Sequence, residues 1–342
     1  MTTMTAADPR TAPLVITASP HLKGRDTTQR IMWTVVLTLL PIVAWSVWLF
    51  GPSALLVTLA SVAGAVATEH FIGRHGTLAD GSAAITGILL GLTLPAGFPL
   101  WMAVVGGGIA IGFGKLLFGG LGYNIFNPAL IGRAFLQAAF PVAITTWPAR
   151  SGSWWALRGD NFALPLMRPH VDAVTAATPL GLFKFEGQGT DVGSLFLGTV
   201  GGSLGETSAL LILLCGGYLA LRRYLDWRIP VSVLGTVALL QGALHLMNAT
   251  RYASVPFTLF SGGLMLGAVY MATDMVTAPV TKLGRWVFGG MIGLTVVVIR
   301  AWGGLPEGVM YAILLANALV PYINKVTQPR VFGARRAKVV AR

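Results

Sequence analysis

Long apolar runs constrain this chain more than any other feature of its sequence. Residues 32–50, 99–118 and 309–323 are nearly free of polar side chains and consist of residue types that favour helices. A run of about 20 apolar residues crosses the hydrocarbon core of a bilayer as a helix. Backbone polar groups inside lipid must find partners within their own segment, and a helix supplies them. The sequence therefore predicts an all-α integral membrane protein.

Ten segments are candidate membrane spans. Only 11% of the 342 residues are charged, against about 25% in soluble domains, so the chain cannot cover itself with a solvated surface. The predicted spans cover about residues 32–50, 53–72, 82–97, 99–118, 128–146, 207–222, 229–247, 256–272, 286–300 and 307–323.

One long connection divides these spans into two halves. The prediction is a cytoplasmic tail (1–30), a first five-span half (31–146), an outer loop (147–206), a second five-span half (207–323) and a basic cytoplasmic tail (324–342). An odd number of spans in each half would give the halves opposite orientations, as in inverted-repeat membrane folds.

The distribution of Lys and Arg predicts the orientation. With the N-terminus in the cytoplasm, 18 of the 24 basic residues fall inside, and six fall outside: Arg150, Arg158, Arg168, Lys184, Arg251 and Arg300. The acidic residues divide evenly, so the net charge of +12 lies inside. This positive-inside pattern places both termini in the cytoplasm. Anionic lipid or a partner protein is enough to explain the basic C-terminal tail, and no nucleic-acid partner is expected.

Several other classes of site find no support in the sequence. The polar first 30 residues lack the apolar core of a signal peptide. The single cysteine, Cys215, excludes an intrachain disulfide and a cysteine-rich metal centre within the chain. Five scattered histidines show no metal-ligand spacing, and no nucleotide-binding loop is present. We therefore expect neither a metal site nor catalytic residues of the usual hydrolytic kinds.

The predicted outer loop contains a motif that could accept a covalent group. Residues 172–178, DAVTAAT, have the form D-x-x-[ST]-x-A-[ST]. This form resembles the sites at which flavin transferases attach FMN to threonine in bacterial membrane redox complexes. Thr178 would then be the phosphoryl threonine, and Asp172 and Thr175 would be recognition positions. The alternative is a polar loop in which Thr178 caps a helix that begins at Pro179.

A second motif lies at the start of the fifth predicted span. Residues 122–128, GYNIFNP, place Asn124 and Asn127 before a proline at membrane depth. Non-helical backbone is tolerated there only where protein or a cavity surrounds it. The two amides could hold a polar ring edge, or they could stabilise a broken helix by satisfying its backbone groups.

Acidic side chains lie near the predicted membrane boundaries, where ionisable groups can mark an ion path. They are Glu69, Asp80, Glu206 and Asp274. They can equally cap helices, since a carboxylate is favoured at a helix N-terminus, and Glu206 fits that role well. For each of them, capping or pairing is preferred to direct ion coordination, and pairing or snorkelling is likewise expected for Arg133.

Several blocks spread along the chain resemble the family that contains the D protein of the Rnf electron-transport complex. More distantly, they resemble the B protein of the sodium-pumping NADH:quinone oxidoreductase. The blocks include DGSAAITGILLGLTLP (80–95), FGGLGYNIFNPALIG (118–132), GSLGETS (202–208), DWRIP (226–230), GAVYMATDMVTAPVTKLGR (267–285) and IRAWGGLPEGVMYAILLANALVPYI (299–323). One departure is Ala176, where flavinylation motifs often have glycine, but alanine is also small.

The resemblance implies a membrane subunit that relays electrons within an ion-translocating oxidoreductase of the bacterial inner membrane. It implies covalent FMN on Thr178 on the periplasmic side, attached by a flavin transferase. It also implies noncovalent riboflavin, for which Asn124, Asn127 and Asp274 are the candidate contacts. The implied partners are a second flavoprotein subunit, iron–sulfur subunits and further membrane subunits. The chain alone should be inactive, because nothing in it binds NAD or an iron–sulfur cluster.

Two alternatives remain open at this point. Ten spans with broken helices also fit a channel or a secondary transporter. The chain could also be a membrane anchor with no redox role. Both alternatives predict that no flavin is attached.

Overall fold

A computed structural model describes residues 26–73, 77–148, 153–165, 178–206 and 208–329. Within these ranges the chain is helical, which confirms the predicted all-α class. The helices are α1 (Thr28–Phe50), α2 (Pro52–Ile72), α3 (Ser82–Leu92), α4 (Leu100–Gly114), α5 (Pro128–Ala139), α6 (Pro141–Thr145), α7 (Pro179–Gly181), α8 (Val192–Leu197), α9 (Ala209–Leu221), α10 (Arg228–Met247), α11 (Val255–Phe260), α12 (Leu264–Leu266), α13 (Lys282–Trp302) and α14 (Val309–Thr327).

Six helices in the described part of the chain are long and apolar enough to cross a bilayer. They are α1, α2, α4 with the turn that follows it to Phe118, α10, α13 and α14. Two shorter apolar helices, α3 and α9, accompany them. The chain is thus a multi-pass membrane protein, since several spans are present even by this strict criterion of length.

Three predicted spans differ from the observed elements. The segment 82–97 is helical only to Leu92, and a turn follows. The segment 128–146 is two helices, because the chain breaks at Phe140, directly before Pro141. The segment 256–272 consists of α11, α12 and a π-helical turn, Gly267–Met271.

Proline and glycine account for two of these breaks. Proline lacks a backbone N–H and clashes with the preceding turn, so a helix ends before Pro141. Gly262, between α11 and α12, has a φ of +70°, which a residue with a side chain rarely adopts. These are the points at which the continuous apolar pattern of the sequence conceals a change in backbone direction.

Close helix packing depends on small residues. Helix α2 packs against α3 and α4, and α10 packs against α13. A Cβ atom added to Gly107 of α4 would lie 2.2 Å from the carbonyl oxygen of Ser61 in α2. In the same way, a Cβ on Gly289 of α13 would lie 2.6 Å from the Cβ of Ser232 in α10. The predicted role of the Gly106–Gly108 run in helix packing is confirmed, as is common where helices meet in membranes.

Candidate functional site

Thr178 begins the short helix α7 as its N-cap residue. Its backbone is extended, with φ −69° and ψ 153°, and Pro179 follows at the first helical position. The Thr178 Oγ1 atom accepts a hydrogen bond of 3.1 Å from the backbone N–H of Gly181. The capping role predicted as the alternative is therefore confirmed, and it leaves the hydroxyl proton of Thr178 free to be donated. Asp172 and Thr175 lie outside the described residues.

The turn after α7 is tied to the end of α13. The Lys184 ammonium donates to the carbonyl oxygens of Gly303 at 2.6 Å and Leu305 at 2.8 Å, and to that of Ile299 at 3.3 Å. Burial lowers the pKa of Lys184, and the nearby charge of Arg300 lowers it further. A cation at a helix C-terminus is favoured by the helix dipole, so this contact fixes the segment that carries Thr178.

Thr178 borders a cavity of about 440 Å³, called here the Thr178 cavity. Its walls come from α5, α6, α7, the turn before α9, the π-helical turn and the start of α14. Small-molecule sites usually occupy about 300–1,000 Å³ and combine apolar walls with a few polar groups. The lining includes Thr93, Leu130, Arg133, Trp147, Leu180, Phe185, Glu206, Leu266, Met271, Glu307 and Met310.

Arg133 and Glu307 pair across the wall of this cavity. The Arg133 guanidinium donates to a Glu307 carboxylate oxygen at 3.2 Å and to the carbonyl oxygen of Thr93 at 2.6 Å. The other carboxylate oxygen of Glu307 accepts from the backbone N–H of Gly263. The expected pairing of Arg133 is thus confirmed, and the pair joins the end of α3, helix α5 and the break between α11 and α12.

Glu206 faces the same cavity from the turn before α9. The predicted capping role of Glu206 is wrong, because Ser208 caps α9 by accepting a hydrogen bond of 3.2 Å from the N–H of Leu211. Burial, and then the negative charge of Glu307, raise the pKa of Glu206 to about 7, while Arg133 opposes that rise. Glu206 can therefore bind or release a proton at the cavity near neutral pH.

The predicted polar residues of the second motif come together at another cavity, called here the Asp274 cavity. The Asn124 amide donates to a carboxylate oxygen of Asp274 at 3.5 Å, and it also donates to the carbonyl oxygen of Phe126 at 3.3 Å. The Asn127 amide donates to the carbonyl oxygen of Met271 at 3.1 Å. All three predicted residues line this cavity, whose volume is about 100 Å³.

Asn127 also supports the broken-helix interpretation of its motif. Its side-chain oxygen accepts a hydrogen bond of 3.3 Å from the N–H of Leu130, so it caps α5. The same side chain therefore satisfies backbone groups of two interrupted segments, α5 and the π-helical turn. The structural role accounts for Asn127 by itself, whereas Asn124 and Asp274 have polar atoms beside the open space of the cavity.

The two cavities lie against opposite sides of the same two segments. Leu130 and Met271 line the Thr178 cavity, while their chain neighbours Ala129 and Tyr270 line the Asp274 cavity. Helix α5 and the π-helical turn therefore form the wall between them. Broken helices in corresponding positions of two halves are a common place for binding sites in membrane proteins.

Sequence reasoning did not single out Glu307, Lys184 or the contacts of Arg300. Arg300 donates to the carbonyl oxygens of Thr258 at 2.7 Å and Ser261 at 3.1 Å, which secures the break after α11. The available signal was a charged residue at the edge of an apolar run, but its partners are distant in the sequence. Only the fold brings them together.

Fold and cavities define a class, that of multi-pass helical membrane proteins with paired cavities at broken helices. The sequence comparisons give the family, because residues 15–333 match the one described as the NQR2, RnfD, RnfE family. The chain belongs to this family.

Named relatives align over nearly the whole chain, and each is the D component of its complex. The chain is 43% identical to that component of the proton-translocating ferredoxin:NAD(+) oxidoreductase complex of Clostridium ljungdahlii, over 94% of this chain and 96% of that protein. It is 42% identical to that of the ion-translocating oxidoreductase complex of Stutzerimonas stutzeri, over 93% and 96%. It is 38% identical to that of the Na(+)-translocating ferredoxin:NAD(+) oxidoreductase complex of Acetobacterium woodii, over 96% and 98%.

Proposed function

We propose that this chain is a membrane subunit of an ion-translocating ferredoxin:NAD oxidoreductase complex and relays electrons through FMN attached to Thr178. The names of the aligned relatives support the complex. The motif that ends at Thr178 supports the attachment site. Because the named relatives include both a proton-translocating and a sodium-translocating complex, the coupling ion is left open in this proposal.

The observation that carries the proposal is the position of Thr178 at a cavity of small-molecule size. On attachment, the Thr178 oxygen forms a bond to phosphorus and the hydroxyl proton leaves. Gly181 keeps the approach open, since a Cβ there would lie 3.2 Å from Thr178 Oγ1. Apolar side chains such as Leu130 and Met310 would pack against the flat faces of a flavin ring, and Arg133 supplies positive charge. FMN would supply the redox chemistry, while the protein sets its position and polarity.

The finer membrane arrangement is also a proposal. The six long helices, the two shorter ones and the interrupted segments α5–α6 and α11–α12 together correspond to the ten predicted spans, five in each half. Matching helix contacts, α2 with α4 and α10 with α13, support two related halves of opposite orientation. The charge distribution supports termini in the cytoplasm and Thr178 in the periplasm, across a bacterial inner membrane.

A second flavin, riboflavin, is proposed at the Asp274 cavity on its polar groups alone. Asn124 and Asp274 offer an amide and a carboxylate that could hold a ring edge. The cavity of about 100 Å³ is smaller than ordinary ligand sites, so the ring would fit only if the cavity widened. For that reason we derive no electron-transfer step through this site.

The proposal implies several partners. A flavin transferase would modify Thr178, and further flavoprotein, iron–sulfur and membrane subunits would complete the path for electrons. The basic residues of the C-terminal tail would contact anionic lipid or one of these partner proteins.

The decisive experiment compares the wild type with Thr178→Ala after co-expression with a flavin transferase. We expect the wild-type band on a denaturing gel to fluoresce under ultraviolet light and its intact mass to include FMN. Thr178→Ala should lose both signals. Thr145→Ala is the matched control, because Thr145 lines the same cavity and should leave attachment unchanged.

Two results would contradict the proposal. An unmodified wild type, obtained with an active transferase, would remove the redox role. Equal labelling of the wild type and Thr178→Ala would move the attachment to another residue. Thr178→Ser, which retains a hydroxyl, tests whether the modification needs the methyl group as well as the oxygen.

One observation favours a second candidate function, that of a channel or secondary transporter. The Thr178 cavity and the Asp274 cavity share a thin wall of α5 and the π-helical turn, which resembles a closed path across the membrane. Uptake of radioactive sodium into vesicles that contain only this chain, without an electron donor, would support transport independent of redox chemistry. The electron-relay proposal predicts no uptake above that of empty vesicles.

A further inference from the structure

A buried cluster of charged groups lies apart from both proposed flavin positions. Lys115 ends α4 and is 2% exposed, although it lies within a span that is otherwise apolar. Its ammonium is 2.5 Å from a carboxylate oxygen of Glu69 and 2.6 Å from the hydroxyl of Ser82. A carboxylate oxygen of Asp80 lies 3.7 Å away. These four residues are called the Lys115 cluster.

The cluster contains more negative charge than the ammonium neutralises. Glu69 and Asp80 each bring one negative charge, and Lys115 brings a single positive charge. Glu69 is 1% exposed, and its second carboxylate oxygen is buried without a hydrogen-bond partner. Leaving a buried charged oxygen without a partner is costly, so the carboxylate needs a cation beside it.

The arrangement around the ammonium is that of a small oxygen-lined cation site. Hard cations are bound by carboxylate, hydroxyl and carbonyl oxygens. The C-terminal end of α4 adds a favourable negative potential at Lys115. Asp80 is partly exposed, which gives the cluster an approach from solvent. Its other carboxylate oxygen is held by the N–H and the hydroxyl of Ser82, at 2.8 and 2.6 Å.

We propose that Glu69, Ser82 and Asp80 form a binding site for a monovalent cation, and that the ammonium of Lys115 occupies it as a tethered ion. The side chain thereby supplies permanently the charge that a free cation such as Na⁺ would otherwise supply. While Lys115 is in place, no free ion binds at this point. The proposal does not depend on the flavin or on electron transfer.

The test removes the tether and offers a free ion in its place. Lys115→Ala opens space at the ammonium position and leaves the buried carboxylates unpaired. In the full-length chain purified in choline chloride, we expect the thermal unfolding midpoint to fall by about 10 °C. NaCl at equal ionic strength should restore about half of that loss, because an ion that binds only the folded state stabilises it. The wild type should respond equally to both salts.

Two controls isolate the site. Lys115→Met has a similar length but no charge, so it fills the space and should lose stability without recovering in NaCl. In the Lys115→Ala background, Glu69→Gln removes the closest anionic oxygen and should abolish the sodium response. If Lys115→Ala accumulates too poorly to be purified, the variant that also carries Asp80→Asn reduces the unpaired charge, and the same comparison of salts applies to it.

The proposal is overturned if Lys115→Ala unfolds at the same temperature in NaCl and in choline chloride. It is also overturned if Lys115→Met or the wild type gains as much from sodium as Lys115→Ala does. In either of those cases the ion would bind elsewhere in the protein. None of these outcomes bears on the attachment of FMN to Thr178, so the two proposals can fail separately.

Discussion

At the scale of single residues, Glu206 should make the stability of the protein depend on pH. Its pKa is raised from the ordinary 4.5 to about 7 by burial and by Glu307, against the opposing charge of Arg133; Arg300 is the other cation that interacts with it. Between these two pH values the folded protein keeps a proton that the unfolded chain has released. Stability therefore falls as the pH rises from about 4.5 to about 7, and it levels off above that.

Thermal unfolding midpoints across this range test the expectation. Glu206→Gln should flatten the fall, because it stays neutral at every pH. Asp191→Asn serves as the control. Hydrogen bonds from the backbone and side chain of Ser194 lower the pKa of Asp191 from 3.8, so Asp191 is ionised in both states throughout the range. A slope that survives in Glu206→Gln would assign the pH dependence to another group.

At the scale of elements, the contact between α2 and α4 depends on one glycine. A Cβ on Gly107 would lie 2.2 Å from the Ser61 carbonyl oxygen, which belongs to the backbone and cannot move alone. Gly107→Ala should therefore destabilise the protein by about 1–3 kcal/mol through overpacking. Gly112→Ala in the same helix is the matched control, since its nearest neighbour, a methyl group of Thr68, would lie at 3.9 Å.

The comparison is a thermal or denaturant unfolding experiment on both variants in one detergent. Gly112→Ala should be neutral, or more stable by up to about 1 kcal/mol, because alanine favours the helix. Equal losses in the two variants would show that any side chain on α4 disturbs the fold, and the specific α2–α4 contact would lose its support.

The sequence predicted the apolar helices well and their interruptions less well. Lipid leaves few alternatives to a helix for a long apolar run, so α1, α2 and α4 lie close to their predicted positions. The segment 256–272 is equally apolar, yet it is broken, because Gly262 and its neighbours allow a turn that Arg300 then stabilises. Hydropathy records polarity along a segment but contains no information about these distant hydrogen bonds.

The candidate site shows the same division. Thr178, Asn124 and Asn127 could be singled out from local motifs, since each precedes or caps a helix start. The pairing of Arg133 with Glu307 could not, because 174 positions separate the two residues. Only the packing of the two halves determines that these side chains meet at one cavity.

At the scale of the whole molecule, the Arg133–Glu307 pair links the predicted first half to the second beside the Thr178 cavity. Both side chains are largely buried, at 13% and 20% exposed, so their attraction is poorly screened by solvent. A double-mutant cycle with Arg133→Gln and Glu307→Gln should give a coupling energy of about 1–3 kcal/mol. The control is the pair Arg30–Asp26, whose side chains are 56% and 49% exposed; its coupling should stay below about 1 kcal/mol.

The position of this pair extends the prediction from stability to the site. Glu307 also accepts from the N–H of Gly263, and Arg133 also donates to the Thr93 carbonyl, so the pair holds both interrupted segments at the cavity wall. Each single variant should therefore lower the yield of FMN attached to Thr178 as well as the unfolding midpoint, because the cavity beside the threonine loses its shape. If the cycle shows coupling but the yield of attached FMN stays at the wild-type level, the pair joins the halves without shaping the flavin site.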